Sequence, residues 1–280
     1  MKLRPSLSSL RYDLFELADP TKDMFEQAWN TLEGHCSGGQ SLVGVDYHHV
    51  SSISVGPFDN LLVTSRELNT VWSLAHNGSG VQWSLSSSLE SASGPRVEFE
   101  RDAMAFYSPH DVKQMPNGDL LVIDDGATRP GCYDQVAANC FSRAAMYAID
   151  LDANRARVVW QFSHPTALSG DDPNNWAAVM GGDTYNACGG SVEKLPNGNY
   201  LVAFTGMSAD SQGEHDWDTT RTAFAWEIDA DGAARSDDGA APSIKSLLKI
   251  PLPHWNVGNQ NGYRVVPWHS ISGESTSEPW

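Results

Sequence analysis

Positive charge is scarce in this 280-residue chain. Eighteen Lys and Arg face 35 Asp and Glu, leaving a formal net charge of −17. That balance argues against nucleic acid or an anionic membrane surface as a partner, since both are polyanions. Long apolar runs are lacking too. No stretch approaches the roughly 20 residues of a membrane-spanning helix. The start, MKLRPSLSSLRYDLFELADP, is briefly basic but has no continuous apolar segment, so no signal peptide is expected and the compartment stays undefined. Cysteine is sparse, with four in the chain and none in CxxC spacing. This excludes a disulfide framework and a CxxC-type zinc site. Cys132 and Cys140 flank YDQVAAN and could close one small bridge in an oxidising compartment, whereas Cys36 and Cys188 stand alone. The glycine-rich GGDTYNACGG follows no strand-to-helix pattern, which argues against a phosphate-binding loop.

What is present is a core's worth of apolar residues, at 40% hydrophobic against 19% charged, so wholesale disorder is not expected. Ten tryptophans lie mostly near apolar runs, as in β-rich repeat proteins. Residues 19–34, DPTKDMFEQAWNTLEG, read as one short helix. Asp19 suits the N-cap, Pro20 the first helical position and Gly34 the stop. From residue 46 the pattern turns to short strands and turns, with internal similarity. HDVKQMPNGDLLVIDDG (110–126) aligns without gaps to GSVEKLPNGNYLVAFTG (190–206). HVSSISVGPFDNLLVTSR (49–66) reads as a further copy with a turn two residues longer. A strand pair follows each copy: NTVWSL and GVQWSL, AAMYAIDLD and ARVVWQF, TAFAWEIDADG and SIKSLLKI.

Four short antiparallel strands repeated in this way compose a β-propeller blade. The expected fold is therefore all-β, a β-propeller, with a sandwich as the alternative. Residues 1–45 form an N-terminal segment with the short helix, 46–270 the blades and 271–280 a tail. Three to four blades fall short of a closed propeller and leave apolar flanks and strand edges open. Degenerate strands in 1–45, a longer parent protein, or a homo-oligomer would each cover them, and the truncated chain is the preferred explanation.

A histidine begins two of the hairpins. The start of a hairpin's first strand lies beside the end of its second. His49 and Arg66 are thus neighbours at one rim, and His110 belongs at the matching rim beside Asp124 and Asp125. The copy at 190 carries Gly190 where the other has His110, so the hairpin does not itself call for histidine. A neutral imidazole is a nucleophile near pH 7, and a guanidinium matches sulfate or phosphate oxygens. Two imidazoles and a guanidinium around one void would suit transfer of such a group. Asp111 is expected to turn away and pair with Lys113. Asp124 or Asp125 either orients an imidazole or serves turn chemistry. Arg143 either reaches the same rim to bind substrate or only packs at an edge. Adjacent His48 and His49 point to opposite faces of a strand, with His49 inward, so they make a poor metal pair. His76, His164, His215, His254 and His269 receive no role.

The ordered segments HHVSSISVGPFDNLLVTSR, PHDVKQMPNGDLLVIDDG, SRAAMYAIDLDANRARVVWQF and GGSVEKLPNGNYLVAFTG resemble successive blades of the arylsulfotransferase family, which moves sulfuryl groups without the nucleotide donor PAPS. The resemblance runs from about residue 46 to 270. It implies a six-bladed propeller, no cofactor, no metal, and members that are often periplasmic or secreted. It implies a ping-pong reaction in which an aryl sulfate sulfates a histidine and a phenol then accepts the group. His110 matches the histidine that becomes sulfated. His49 and Arg66 match residues that hold the sulfuryl oxygens, with Arg143 and Asp125 as the further substrate-side candidates. The family pattern HxNS reads HVSS here, placing Ser51 where an asparagine stands, and Asp-Asn-Gly reads Asp124-Asp125-Gly126. The family's histidine from an earlier blade has no counterpart at the right distance before His49. Two other classes compete: a non-catalytic propeller that binds a partner or small anion, and a metal-dependent propeller hydrolase.

Overall fold

The structure is a computed structural model and describes residues 12–13, 16–18, 47–88, 93–130, 141–163, 189–204, 221–229 and 244–252. The helix expected over 19–34 and all four cysteines lie outside the described residues. The described chain is almost wholly strand. Three four-stranded antiparallel meanders follow one another: β1 (Val50–Gly56) to β4 (Val81–Ser86), β6 (Pro109–Gln114) to β9 (Arg155–Ser163), and β10 (Ser191–Lys194) to β13 (Ile244–Leu252). Between them come β2 (Asn60–Ser65) and β3 (Thr70–Ala75), β7 (Leu120–Asp124) and β8 (Arg143–Asp150), β11 (Tyr200–Phe204) and β12 (Arg221–Ile228). These are the hairpins and strand pairs expected from the repeats.

One strand had no sequence signal. β5 (Arg96–Phe99) pairs in parallel with β4 on one side and β9 on the other, joining two meanders into a nine-stranded sheet. The two edges of that sheet, β1 and β6, come together, and Ser54 Oγ donates to the carbonyl of Val112 at 2.7 Å. The sheet is therefore nearly closed on itself.

Strand alternation assigns the core. In β7, Leu120 and Val122 face the first meander and pack with Leu62, Val71, Trp83 and Leu85. Leu121 and Ile123 face the third and pack with Val192, Tyr200, Val202 and Trp226. Both faces of the middle meander are covered, which is why LLVI runs apolar without a polar break. A third cluster, with Val63, Trp72, Leu74, Tyr47 and Leu17, covers the far face of the first meander.

The turns correct two expectations. Met115 and Asp119 close the β6–β7 turn through a 2.8 Å hydrogen bond, and Leu195 and Asn199 close the β10–β11 turn at 2.7 Å. Gly56 pairs with Asn60 in the first hairpin. All three turns thus have the same length, and none is two residues longer. Pro57, Pro116 and Pro196 open them, and Asp59, Gly118 and Gly198 take the left-handed position at φ 55°, 96° and 91°. Counting back along equal hairpins, Ser51 stands where His110 and Gly190 stand, and His49 matches Ser108. The second correction concerns Gly190. Its φ of 120° lies where L side chains rarely go, so that copy starts on a different backbone path and does not show a histidine site filled by glycine.

Candidate active site

The β6–β7 register jumps from Pro109↔Asp124 to Asp111↔Ile123, so His110 is the bulged residue between the two pairs. Such a bulge re-aims its side chain. The imidazole is 0% exposed, and its Nδ1 lies 2.8 Å from Asp125 Oδ2, also fully buried. The Gly189 N–H, from the start of the third meander, approaches the same nitrogen at 3.2 Å. One nitrogen cannot donate and accept at once. With the proton on Nδ1, the ring donates to Asp125 and Nε2 carries the lone pair. With Nδ1 bare, the Gly189 amide and a protonated Asp125 supply the donors. Burial pushes the Asp125 carboxyl well above the usual carboxylate range. Arg66 pulls it back, Asp124 pushes it further up, and the Gly189 amide and His49 also pull it down.

His49 and Arg66 are among the groups that act on Asp125. His49 and Arg66 end the first hairpin together, with the Arg66 N–H donating to the His49 carbonyl at 3.1 Å. Asp125 and Ser108 end the second in the same way, at 3.4 Å. The carboxylate of Asp125 feels both Arg66 and His49, so side chains from two hairpins share one electrostatic neighbourhood. The Arg66 guanidinium is buried and pairs with Glu67 through Nη1 and Oε1. The pair is buried and not at the surface. The His49 Nδ1 stands 4.0 Å from the same Glu67 oxygen, and its side chain keeps 24% of its surface exposed. His48 turns away and packs against the rings of Tyr47 and Trp72.

The two aspartates divide the work. Asp125 takes the imidazole and is not positioned as a separate substrate ligand. Asp124 accepts from Arg129 Nη2 at 2.6 Å, from Arg143 Nε at 2.8 Å, and from the Tyr107 N–H at 2.9 Å. Arg143 therefore departs from its expected substrate role. Its Nη1 donates to Gln161, and its Nη2 to the carbonyls of Met104 and Ala105, so each guanidinium nitrogen is already committed. It packs at an edge and ties β8 to the Asp102–Met104 turn. Asp111 meets Lys113 at 2.9 Å as expected, and Lys113 reaches on to Glu193 at 3.1 Å, bridging the second and third meanders. Arg129, Glu67 and Gly189 were missed. Only Glu67 had a signal, as the neighbour of Arg66. Among the described residues, no three His, Cys, Asp or Glu side chains gather as a metal site.

A family model described as Arylsulfotransferase (ASST) matches residues 8–236. The chain belongs to the arylsulfotransferase family. No curated protein matches it. Among solved structures, it is similar to a protein of unknown function from Bacteroides caccae at 16% identity and a TM-score of 0.32. The match covers 71% of this chain and 53% of that one, so the chain spans about half the length of that relative.

Proposed function

We propose that this arylsulfotransferase-family chain is a β-propeller whose three meanders are blades, and that it moves a sulfuryl group from an aryl sulfate to a phenol through sulfated His110. The observation that carries the proposal is the 2.8 Å contact between His110 Nδ1 and Asp125, beside Arg66 and His49. With Asp125 ionised, Nδ1 holds the proton and Nε2 offers its lone pair to sulfur. The N–S bond forms as the S–O bond to the aryl group breaks, and the phenoxide leaves with the electron pair. Arg66 and His49 face the peripheral sulfuryl oxygens, where charge gathers in a loose transition state. A phenol oxygen then attacks sulfur, the N–S bond breaks, and its electrons return to Nε2. The phenolic proton leaves to solvent or to the departed phenoxide. The donor approaches from the His49 side, because His110 itself has no exposed surface while His49 has some.

That full burial of His110 also favours a second reading, in which the mouth holds a small anion and does no chemistry. One assay separates them. The protein is incubated with 4-nitrophenyl sulfate and phenol, with and without a chelator, beside His110→Ala. Chelator-resistant nitrophenol release that disappears in the variant, with a sulfuryl adduct on the His110 peptide of the unmutated protein, is the expected result. Release that survives in His110→Ala would overturn the assignment. Sulfate binding without turnover would favour the non-catalytic reading.

A further inference from the structure

At the opposite end of the hairpins from His110, the first two meanders splay around a cleft of about 710 Å³. That volume lies within the roughly 300–1,000 Å³ of small-molecule sites. We propose that this cleft binds a neutral saccharide. The proposal does not rest on the sulfuryl-transfer reading: along β6, His110 and the cleft residue Gln114 are separated by roughly 13 Å at about 3.3 Å per residue.

The inner wall is a chain of neutral amides and one hydroxyl. Asn60 Nδ2 donates to Ser73 Oγ at 2.8 Å and to Gln114 Oε1 at 2.9 Å. Ser73 Oγ in turn donates to Gln82 Oε1 at 2.8 Å. Asn60 is buried and its carboxamide is fixed from both sides, so Gln82 and Gln114 are held at the cleft wall before any ligand arrives. Carboxamides offer a donor and an acceptor side by side, which matches hydroxyl groups that do both. On the rim, Phe58 is 52% exposed and sits over the β6–β7 turn, 4.0 Å from where a Cβ at Gly118 would stand. A half-exposed ring beside fixed amides fits the apolar C–H face of a sugar.

Charge narrows the class. Among the described residues, the cleft is lined by Asp150 and Asp152 and by no Lys or Arg, in a chain of net charge −17. An anionic ligand would enter against that field. Asp150 and Asp152 are solvent-exposed, and Asp150 also caps its own turn by accepting from the Ala153 N–H at 2.8 Å, so neither is held in place as a cation ligand the way the wall amides are held. What remains is a neutral ligand with many hydroxyls and one apolar face.

The test is saturation-transfer NMR on the full chain with millimolar cellobiose and maltose, and with arginine amide as a cationic probe. Phe58→Ala and Gln82→Ala are measured alongside; both side chains are exposed at the rim, and thermal melts confirm that the variants fold. The expected result is transfer to at least one disaccharide, with affinity about tenfold or more weaker in each variant and nitrophenol release unchanged. Transfer to neither sugar, transfer indifferent to both substitutions, or Phe58-dependent binding of arginine amide that displaces the sugar would overturn the proposal.

Discussion

Asp125 holds the imidazole of His110 through a single 2.8 Å contact inside fully buried surroundings. In that setting the carboxylate fixes which ring nitrogen keeps the proton. Asp125→Asn keeps the shape but presents an amide that can donate to Nδ1, which moves the ring proton to Nε2 and removes the lone pair that the proposed attack on sulfur requires. The expected outcome is a fall in nitrophenol release of about 10²–10⁴-fold, the usual scale for a proton-positioning group, with an unchanged circular dichroism spectrum. A variant as fast as the parent would show that the contact has no catalytic part.

Burial raises the Asp125 carboxyl, and Arg66 works against that rise. Adding a proton to the His110–Asp125 pair takes up the Nε2 lone pair, so activity should increase with pH through an apparent pKa above the usual carboxylate range. Removing the Arg66 charge removes a lowering influence. In Arg66→Gln the acid limb of kcat/KM therefore moves to higher pH. A limb that stays at the parental position, or moves down, would contradict the electrostatic coupling. Because 4-nitrophenyl sulfate stays ionised across this range, the limb reports the enzyme.

Much of this arrangement was legible in the chain, and the illegible parts have a common cause. The repeated hairpins already put His49, Arg66, His110 and Asp125 at one end, whereas the equal length of the turns at Pro57, Pro116 and Pro196 was not read from the sequence. What misled was the histidine itself: matching His49 to His110 shifts the copies by two residues, and only the ladder shows that Ser51 shares the bulge. Asp124 and Asp125 are chemically identical neighbours whose side chains diverge, and nothing local says which one takes the imidazole. Gly189 reaches His110 across 79 residues, and Arg143 reaches the Ala105 carbonyl across 38. Contacts of that kind come from how meanders stack, and they leave no periodic trace.

Arg66 and Glu67 form a buried pair, so truncating one partner strands the other. Arg66→Ala should destabilise the fold by about 3–5 kcal/mol, which would mask any effect on chemistry. The double variant Arg66→Gln/Glu67→Gln leaves no stranded charge. It should recover most of that stability while the rate stays down by roughly 100- to 1,000-fold, the cost of one oxyanion donor. Urea melts and single-turnover rates on the three proteins separate the two effects. Recovery of rate together with stability would mean that Arg66 serves only the fold.

Asp124 presents the same physics in a denser form. Its carboxylate holds Arg129 and Arg143, both buried, and Arg129 also stacks on the Phe141 ring at 4.0 Å. Asp124→Asn leaves two guanidinium groups with a weaker partner and should cost about 3–5 kcal/mol. The half-exposed Arg155–Glu98 pair, with a similar 3.0 Å contact, should cost no more than about 1 kcal/mol when Arg155→Ala breaks it. Chemical denaturation measures both, and comparable losses at the two sites would contradict the assignment of Asp124 as an anchor.

Asn69 ties the first meander to the approach of His110. Its Oδ1 accepts from the Ser108 N–H and from Thr128 Oγ1, both at 2.6 Å, and its own φ is 48°. Ser108, itself at φ 52°, is two residues from His110, so this one carboxamide fixes how the chain enters the bulge. Asn69→Ala leaves the buried Ser108 N–H without its acceptor, at about 1–3 kcal/mol, and leaves the Cβ on left-handed backbone with no polar side chain to support it, at up to about 1–2 kcal/mol. Asn69→Gly relieves the second cost and keeps the first. If the loss in stability is mostly the missing acceptor, the two variants melt close together; if it is mostly backbone strain, glycine approaches the parent. In both variants kcat should fall further than the melting shift alone would account for, because the imidazole loses the segment that aims it. Parental kcat in the folded fraction of Asn69→Gly would separate the Asn69 contact from the placement of His110.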